Sequence, residues 1–138
     1  MIHLFSAVNW LSILLAFVAY SALGALWFTL LFKKQYAISL GKENVPLQNS
    51  SPIFIVGPMV CSLVITIATA LLMKALGITT YAEAAGFACI VGIGYLFSNT
   101  VNIAINPNMP RPLMYGLISG LFHLTGIMIV CVIITAMS

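Results

Sequence analysis

Four long apolar runs, separated by short polar segments, limit most strongly how this chain can fold. A helix that crosses the hydrocarbon core of a bilayer needs about 20 apolar residues. Each run is long enough for one such helix, and together they fill most of the 138 residues. The sequence therefore predicts a single domain over residues 1–138, an all-α membrane protein with four transmembrane helices in an antiparallel bundle. The predicted spans cover about residues 8–32, 53–76, 80–105 and 112–137.

The scarcity of charged residues excludes several classes of protein. Only 5% of the residues are charged, against roughly 25% in average soluble domains, which is too few for a water-facing surface. Chemistry that needs paired carboxylates is excluded because the only carboxylate side chains are Glu43 and Glu83. The five basic residues are too scattered for nucleic-acid binding. We expect no enzymatic activity, no cofactor and no metal site, and we expect the cysteines to be buried free thiols: Cys61, Cys89 and Cys131.

The turns after spans two and three carry recognisable helix-end signals. Gly77 suits the C-terminal cap of span two. Thr80 and Glu83 have the spacing of a capping box at the start of span three. The proline-rich segment 106–112 ends that span, and Pro112 suits the first turn of span four.

The basic residues also predict an orientation in the membrane. Residues 33–51 form the longest polar stretch, which closes with the helix-breaking segment 49–52. This loop and the loop before span four together hold four basic residues. On the opposite side, the loop between spans two and three has one basic residue close to it. The positive-inside rule then predicts a multi-pass protein of the cell (inner) membrane with both termini extracytoplasmic. The residues behind this prediction are Lys33, Lys34, Lys42 and Arg111 on one side and Lys74 on the other.

Short motifs in three spans resemble those of a known membrane family. The motifs are Gly24-Ala25-Leu26-Trp27-Phe28 with Leu31-Phe32-Lys33, Gly92-Ile93-Gly94-Tyr95 through Asn99 and Asn102, and Phe122-His123-Leu124. They resemble the small four-helix membrane proteins called domain of unknown function 1761, which typically read G-A-L-W-Y-S-P-x-x-F-G-K at the end of span one and Y-H-L-x-G in span four. This chain departs from that pattern at Phe28-Thr29-Leu30 and at Lys33. The resemblance implies a four-helix membrane protein of unresolved function.

Polar side chains inside the spans are the candidates for a functional site, because they are costly in hydrocarbon. Tyr95, Asn99 and Asn102 repeat at helical spacing and so share one face of span three. His123 in span four is expected near mid-bilayer, facing the bundle interior and hydrogen-bonded to Tyr95 or Asn99. Together with residues of span one, they predict a polar cluster in the cytoplasmic half of the bundle. Its candidate members are Tyr20, Trp27, Tyr95, Asn99, Asn102 and His123.

Two functions of different classes fit this pattern. The cluster could transport or bind a small polar solute or ion, although no intramembrane carboxylate is present in the middle of a span. Alternatively, the chain is a structural or accessory membrane subunit that binds protein or lipid without transport or catalysis. In either case we expect contact with membrane lipid and assembly into a homo-oligomer, because Gly116 and Gly120 leave a small-residue face for close helix packing.

Overall fold

The structure is a computed structural model that describes residues 3–45 and 51–138. The described residues are mostly helical and contain no strand. Two segments, Trp27–Leu31 and Gly92–Phe97, are π-helical. The predicted helix-breaking residues Asn49 and Ser50 lie outside the described residues. The α-helices are Leu4–Ala7, Trp10–Leu26, Lys33–Ser39, Ile53–Leu76, Tyr81–Val91, Ser98–Ala104 and Pro112–Ala136.

Four continuous helical segments are long and apolar enough to cross a membrane. This finding confirms the predicted all-α membrane fold with four spans. We call these segments spans one to four, and they are Trp10–Leu31, Ile53–Leu76, Tyr81–Ala104 and Pro112–Ala136.

The helix ends follow most of the predicted signals. Gly77 ends span two with a positive φ of 67°, a left-handed conformation that suits glycine. Thr80 and Glu83 form both hydrogen bonds of the capping box at the start of span three. Span one begins at Trp10, two residues later than predicted, because the Asn9 side chain accepts hydrogen bonds from the backbone N–H groups of the first turn. Part of the predicted polar loop forms a short helix, Lys33–Ser39, which we call the loop helix.

Span four is the central helix of the fold. Half of its most apolar window is buried inside the protein, against 17% to 22% for the other three spans. Spans one and four run in opposite directions. Near the start of span one, Asn9 Nδ2 donates to the Met137 carbonyl at 3.0 Å. Near its other end, Trp27 Nε1 donates to the Ile118 carbonyl at 3.1 Å.

Glycines in span four allow its neighbours to approach closely. A Cβ on Gly126 would lie 2.1 Å from the Tyr20 ring, and a Cβ on Gly120 would lie 2.6 Å from the Phe97 ring. Val101 of span three likewise lies against Gly116, where an added Cβ would be 3.2 Å from its side chain. Gly116 and Gly120 therefore pack against span three of the same chain, so the sequence argument that left them free for a second copy is wrong.

The cysteines correct a second expectation. Cys131 is a buried free thiol as predicted, but Cys61 and Cys89 are free thiols with exposed side chains. In a membrane protein an exposed apolar face is solvated by lipid tails, so a cysteine there needs no protein cover. The prediction of burial was therefore wrong for these two.

Candidate functional site

A hydrogen bond between Tyr20 and His123 joins spans one and four. The distance from the Tyr20 hydroxyl oxygen to His123 Nδ1 is 2.7 Å. Tyr20 is fully buried and His123 is half-buried. The Phe122 ring covers the pair, with ring centroids 5.3 Å from Tyr20 and 4.9 Å from His123. Since a neutral imidazole can accept a hydrogen bond at one nitrogen, the phenol can donate to Nδ1. The ring N–H is then at Nε2, which has no hydrogen-bond partner among the described residues.

Trp27 forms the second polar contact between spans one and four. Its indole N–H donates to the Ile118 carbonyl, and its ring lies 4.6 Å from Phe32 and 6.3 Å from Phe122 between centroids. The Phe28 ring lies 5.1 Å from Phe122. This aromatic packing fixes the end of span one against span four.

The aromatic packing continues into the loop helix. The Tyr36 ring lies 4.8 Å from Phe28 and 5.7 Å from Tyr115 between centroids. Burial raises the pKa of Tyr36 to about 12, with a further contribution from the neighbouring Tyr115 phenol. Tyr36 therefore stays a neutral phenol at physiological pH.

The three polar candidates of span three lie on its outer surface. We call Tyr95, Asn99 and Asn102 the outer stripe; all three are exposed, and Tyr95 is 69% exposed. Their side chains form no hydrogen bond with any residue that the structure describes. At about 1.5 Å per residue from the Ala104 end of the span, Asn99 lies roughly 7 Å and Tyr95 roughly 13 Å into it. Two of these polar groups are therefore at hydrocarbon depth with no partner among the described residues.

The predicted single cluster is thus two separate features. Tyr20, Trp27 and His123 lie between spans one and four, whereas the outer stripe faces away from the bundle. The expected hydrogen bond from His123 to Tyr95 or Asn99 is absent, and Tyr20 forms that bond instead.

The packing of span four explains why the candidates separate. Gly116 and Gly120, one turn apart, receive span three, while Phe122 and Gly126, also one turn apart, receive span one. At about 100° per residue, His123 falls between these two rows of the helix, and its ring turns toward Tyr20. The side of span three that packs on the glycines is apolar, so its polar side is left outside.

The π-helical segments are the part of the site that sequence reasoning missed. One contains Trp27 and the other contains Tyr95, so each lies within a motif used for the family resemblance. π-helical turns are frequently found at functional positions. No residue pattern in either segment signals an i→i+5 hydrogen-bond arrangement, so these segments could not have been found from the sequence.

A family model described as "Protein of unknown function (DUF1761)" matches residues 11–135. The chain belongs to this family. The match confirms the resemblance drawn from the sequence motifs and covers every candidate residue from Tyr20 to His123. No curated protein and no solved structure matched the chain. The family description and the four apolar helices fit a multi-pass membrane protein of unresolved function.

Two other features of this DUF1761 chain bear on its chemistry. No group of three or more His, Cys, Asp or Glu that could hold a metal ion occurs within residues 3–45 and 51–138. Some other intramembrane hydroxyls bond to backbone of their own helix, as Thr66 does to the Ser62 carbonyl at 2.8 Å. Such bonds satisfy a hydroxyl without a second helix. The buried hydroxyls of Ser21 and Thr135 have no hydrogen-bond partner among the described residues.

Proposed function

We propose that the protein is a structural or accessory membrane subunit that assembles with further copies of itself through the outer stripe of span three. The observation that carries this proposal is the exposure of Tyr95, Asn99 and Asn102, whose side chains have no hydrogen-bond partner within residues 3–45 and 51–138. An unsatisfied polar group in hydrocarbon costs several kcal/mol. Asparagine side chains in transmembrane helices commonly hydrogen-bond across a contact with another helix. The outer stripe therefore needs a cover, and a protein partner supplies one.

A second copy of the chain fits this surface for a chemical reason. An asparagine side chain carries both donors and an acceptor, so the same residue from two copies can form reciprocal hydrogen bonds across a two-fold axis. Gly94, next to Tyr95, has open space where a Cβ would lie, and Ser98 is exposed beside Asn99. Small residues beside polar ones are typical of close helix–helix contacts in membranes.

The position of span three in the fold supports the same partner. Its main contacts in the described part of the chain are with span four, so the opposite side of span three has no covering helix. The Gly116 and Gly120 face that first suggested a homo-oligomer is occupied by span three itself. The proposed interface therefore moves from span four to the outer side of span three.

Transport of a small polar solute or ion has weaker support from this geometry. Tyr20 and His123 are hydrogen-bonded to each other under Phe122, and the outer stripe lies elsewhere. Two cavities of about 800 Å³ and 280 Å³ lie near the ends of the spans, and His123 lines neither. A solute path would have to be formed between copies.

The oligomeric state in lipid tests the proposed function. We expect native mass spectrometry from nanodiscs to give a dimer or higher oligomer for the wild type and a monomer for Asn99→Leu/Asn102→Leu. Leucine keeps the branched shape of the side chain and removes the amides. Val64→Leu, on the exposed side of span two, is the matched control and should keep the wild-type mass. A monomeric wild type, or a double variant that assembles like the wild type, would contradict the proposal.

The loops and termini also support a proposed orientation. The Arg111 guanidinium and the Glu43 carboxylate form an ion pair, so the two basic loops lie at one end of the spans. Asn9 and Met137 are hydrogen-bonded near the other end, close to both termini. We propose that the basic loops are cytoplasmic and both termini extracytoplasmic in the cell membrane, because four basic residues lie in those loops.

A further inference from the structure

A groove of about 800 Å³ opens at the polar end of span one, beside the loop helix. Its apolar side includes Leu30 and Leu31, the last residues of the span. Its polar side includes Lys33, Lys34 and Lys42. A single groove therefore joins the membrane-facing surface of span one to three of the five basic residues of the chain.

The charge of this groove is strongly positive. Glu43 also lines it, but the Glu43 carboxylate is paired with Arg111 of the loop before span four. No lysine forms a salt bridge with any residue in the described part of the chain. All three lysines of the groove are exposed, so their ammonium groups are available to a ligand.

We propose that this groove binds the phosphate headgroup of an anionic phospholipid. An anionic ligand fits because three lysines line the groove and its one lining carboxylate, Glu43, is paired with Arg111. A lipid fits better than a free phosphate because Leu30 is 71% and Leu31 54% exposed on the side from which an acyl chain would approach. Basic clusters at the end of a transmembrane helix are known to attract anionic headgroups.

The position of the groove sets the expected geometry of binding. Span one ends at Leu31, and Lys33 and Lys34 follow directly, so their side chains lie at the level of the headgroups. Lys42 lies just after the C-terminal end of the loop helix and lines the same groove. The phosphate would lie among the ammonium groups, and the first acyl carbons would lie against Leu30 and Leu31.

Lipid retention tests this inference independently of self-assembly. The full chain is placed in nanodiscs of phosphatidylglycerol and phosphatidylcholine, and the lipids that remain bound are counted by native mass spectrometry. Each lysine near an anionic surface is worth on the order of fivefold in affinity. We expect the wild type to retain phosphatidylglycerol selectively. The single variants Lys33→Gln, Lys34→Gln and Lys42→Gln should each reduce that selectivity about fivefold, and the triple variant should reduce it on the order of 100-fold.

Lys74→Gln is the matched control, since Lys74 lies near the end of span two and outside the groove. It should retain phosphatidylglycerol like the wild type.

The single variants keep the test informative if the triple variant does not fold. Equal retention of both lipids by the wild type, or equal loss with Lys74→Gln, would overturn the proposal. Displacement of the bound lipid by millimolar inorganic phosphate would overturn the lipid assignment and indicate a site for free phosphate. The stripe variant Asn99→Leu/Asn102→Leu should keep the lipid selectivity, so failure of one proposal is distinguishable from failure of the other.

Discussion

At the residue scale, the Tyr20–His123 hydrogen bond is the most specific polar contact inside the bundle. Tyr20→Phe and His123→Ala should each lower the free energy of unfolding by about 1–2 kcal/mol, the upper part of the range for bonds between membrane helices. The double variant should lose less than the sum, because both changes remove the same bond. Unfolding of the purified protein in detergent measures all three values. Tyr81→Phe, at an exposed position, is the control and should have no effect.

Two outcomes would contradict this structural role. Strict additivity of the two changes would mean that Tyr20 and His123 do not interact. A His123→Ala variant that unfolds like the wild type but loses stabilisation by a small solute would favour the transport hypothesis instead.

A second prediction at this scale concerns Gly126. An alanine there would place its Cβ 2.1–2.7 Å from three atoms of the buried Tyr20 ring, so the helices must separate. Overpacking of this kind typically costs 1–3 kcal/mol, and we expect Gly126→Ala to lower the melting temperature clearly. Gly86→Ala is the matched control, because nothing lies within 4 Å of its added Cβ. A melting temperature for Gly126→Ala equal to that of Gly86→Ala would contradict the described packing.

The sequence marks the polar residues inside the spans but does not predict their partners. Polarity at membrane depth marks Tyr20, Asn99 and His123 as unusual, and this follows from residue type alone. Which side of a helix faces inward depends on the packing of all its neighbours. Span three also has an apolar side that can pack against span four. Its polar side was therefore not the only one that could be buried. The position of Gly120 against Phe97 decides that question, and the sequence contains no signal for the pairing.

At the element scale, the helix ends were predictable and the helix type was not. Gly77 and the Thr80–Glu83 capping box act through local backbone geometry, so their residue types are enough to place a helix end. The π-helical segments Trp27–Leu31 and Gly92–Phe97 carry no local signature in the sequence. Sequence reasoning therefore placed the spans to within about two residues but missed these internal changes.

The capping box gives a prediction for span three. Thr80 Oγ1 accepts from the Glu83 N–H, so Thr80→Ala should cost about 1 kcal/mol of local stability. Hydrogen–deuterium exchange should become faster in the first turn of span three and stay unchanged at its far end. Thr79→Ala is the matched control, because only the Thr79 backbone N–H contacts Glu83. Equal exchange in the two variants would contradict the role of the Thr80 side chain.

At the scale of the whole molecule, the arrangement of loops and termini makes a prediction about orientation. The Glu43–Arg111 ion pair and the Asn9–Met137 hydrogen bond lie at opposite ends of the spans. With both termini at one end, reporter fusions to either terminus should give the same result. We expect an alkaline phosphatase fusion, which requires export, to be active. A fusion to a protein that fluoresces only in the cytoplasm should not fluoresce. The opposite pattern at both termini would reverse the proposed orientation.

The most direct test of the central claim is a cross-link across the proposed interface. In a chain whose native cysteines are replaced by serine or alanine, Tyr95→Cys puts one thiol in the outer stripe and leaves Asn99 and Asn102 unchanged. Val64→Cys puts one on the exposed side of span two. Mild oxidation in native membranes should join two copies through position 95 and not through position 64. No cross-link at position 95, or equal cross-linking at both positions, would contradict assembly through span three.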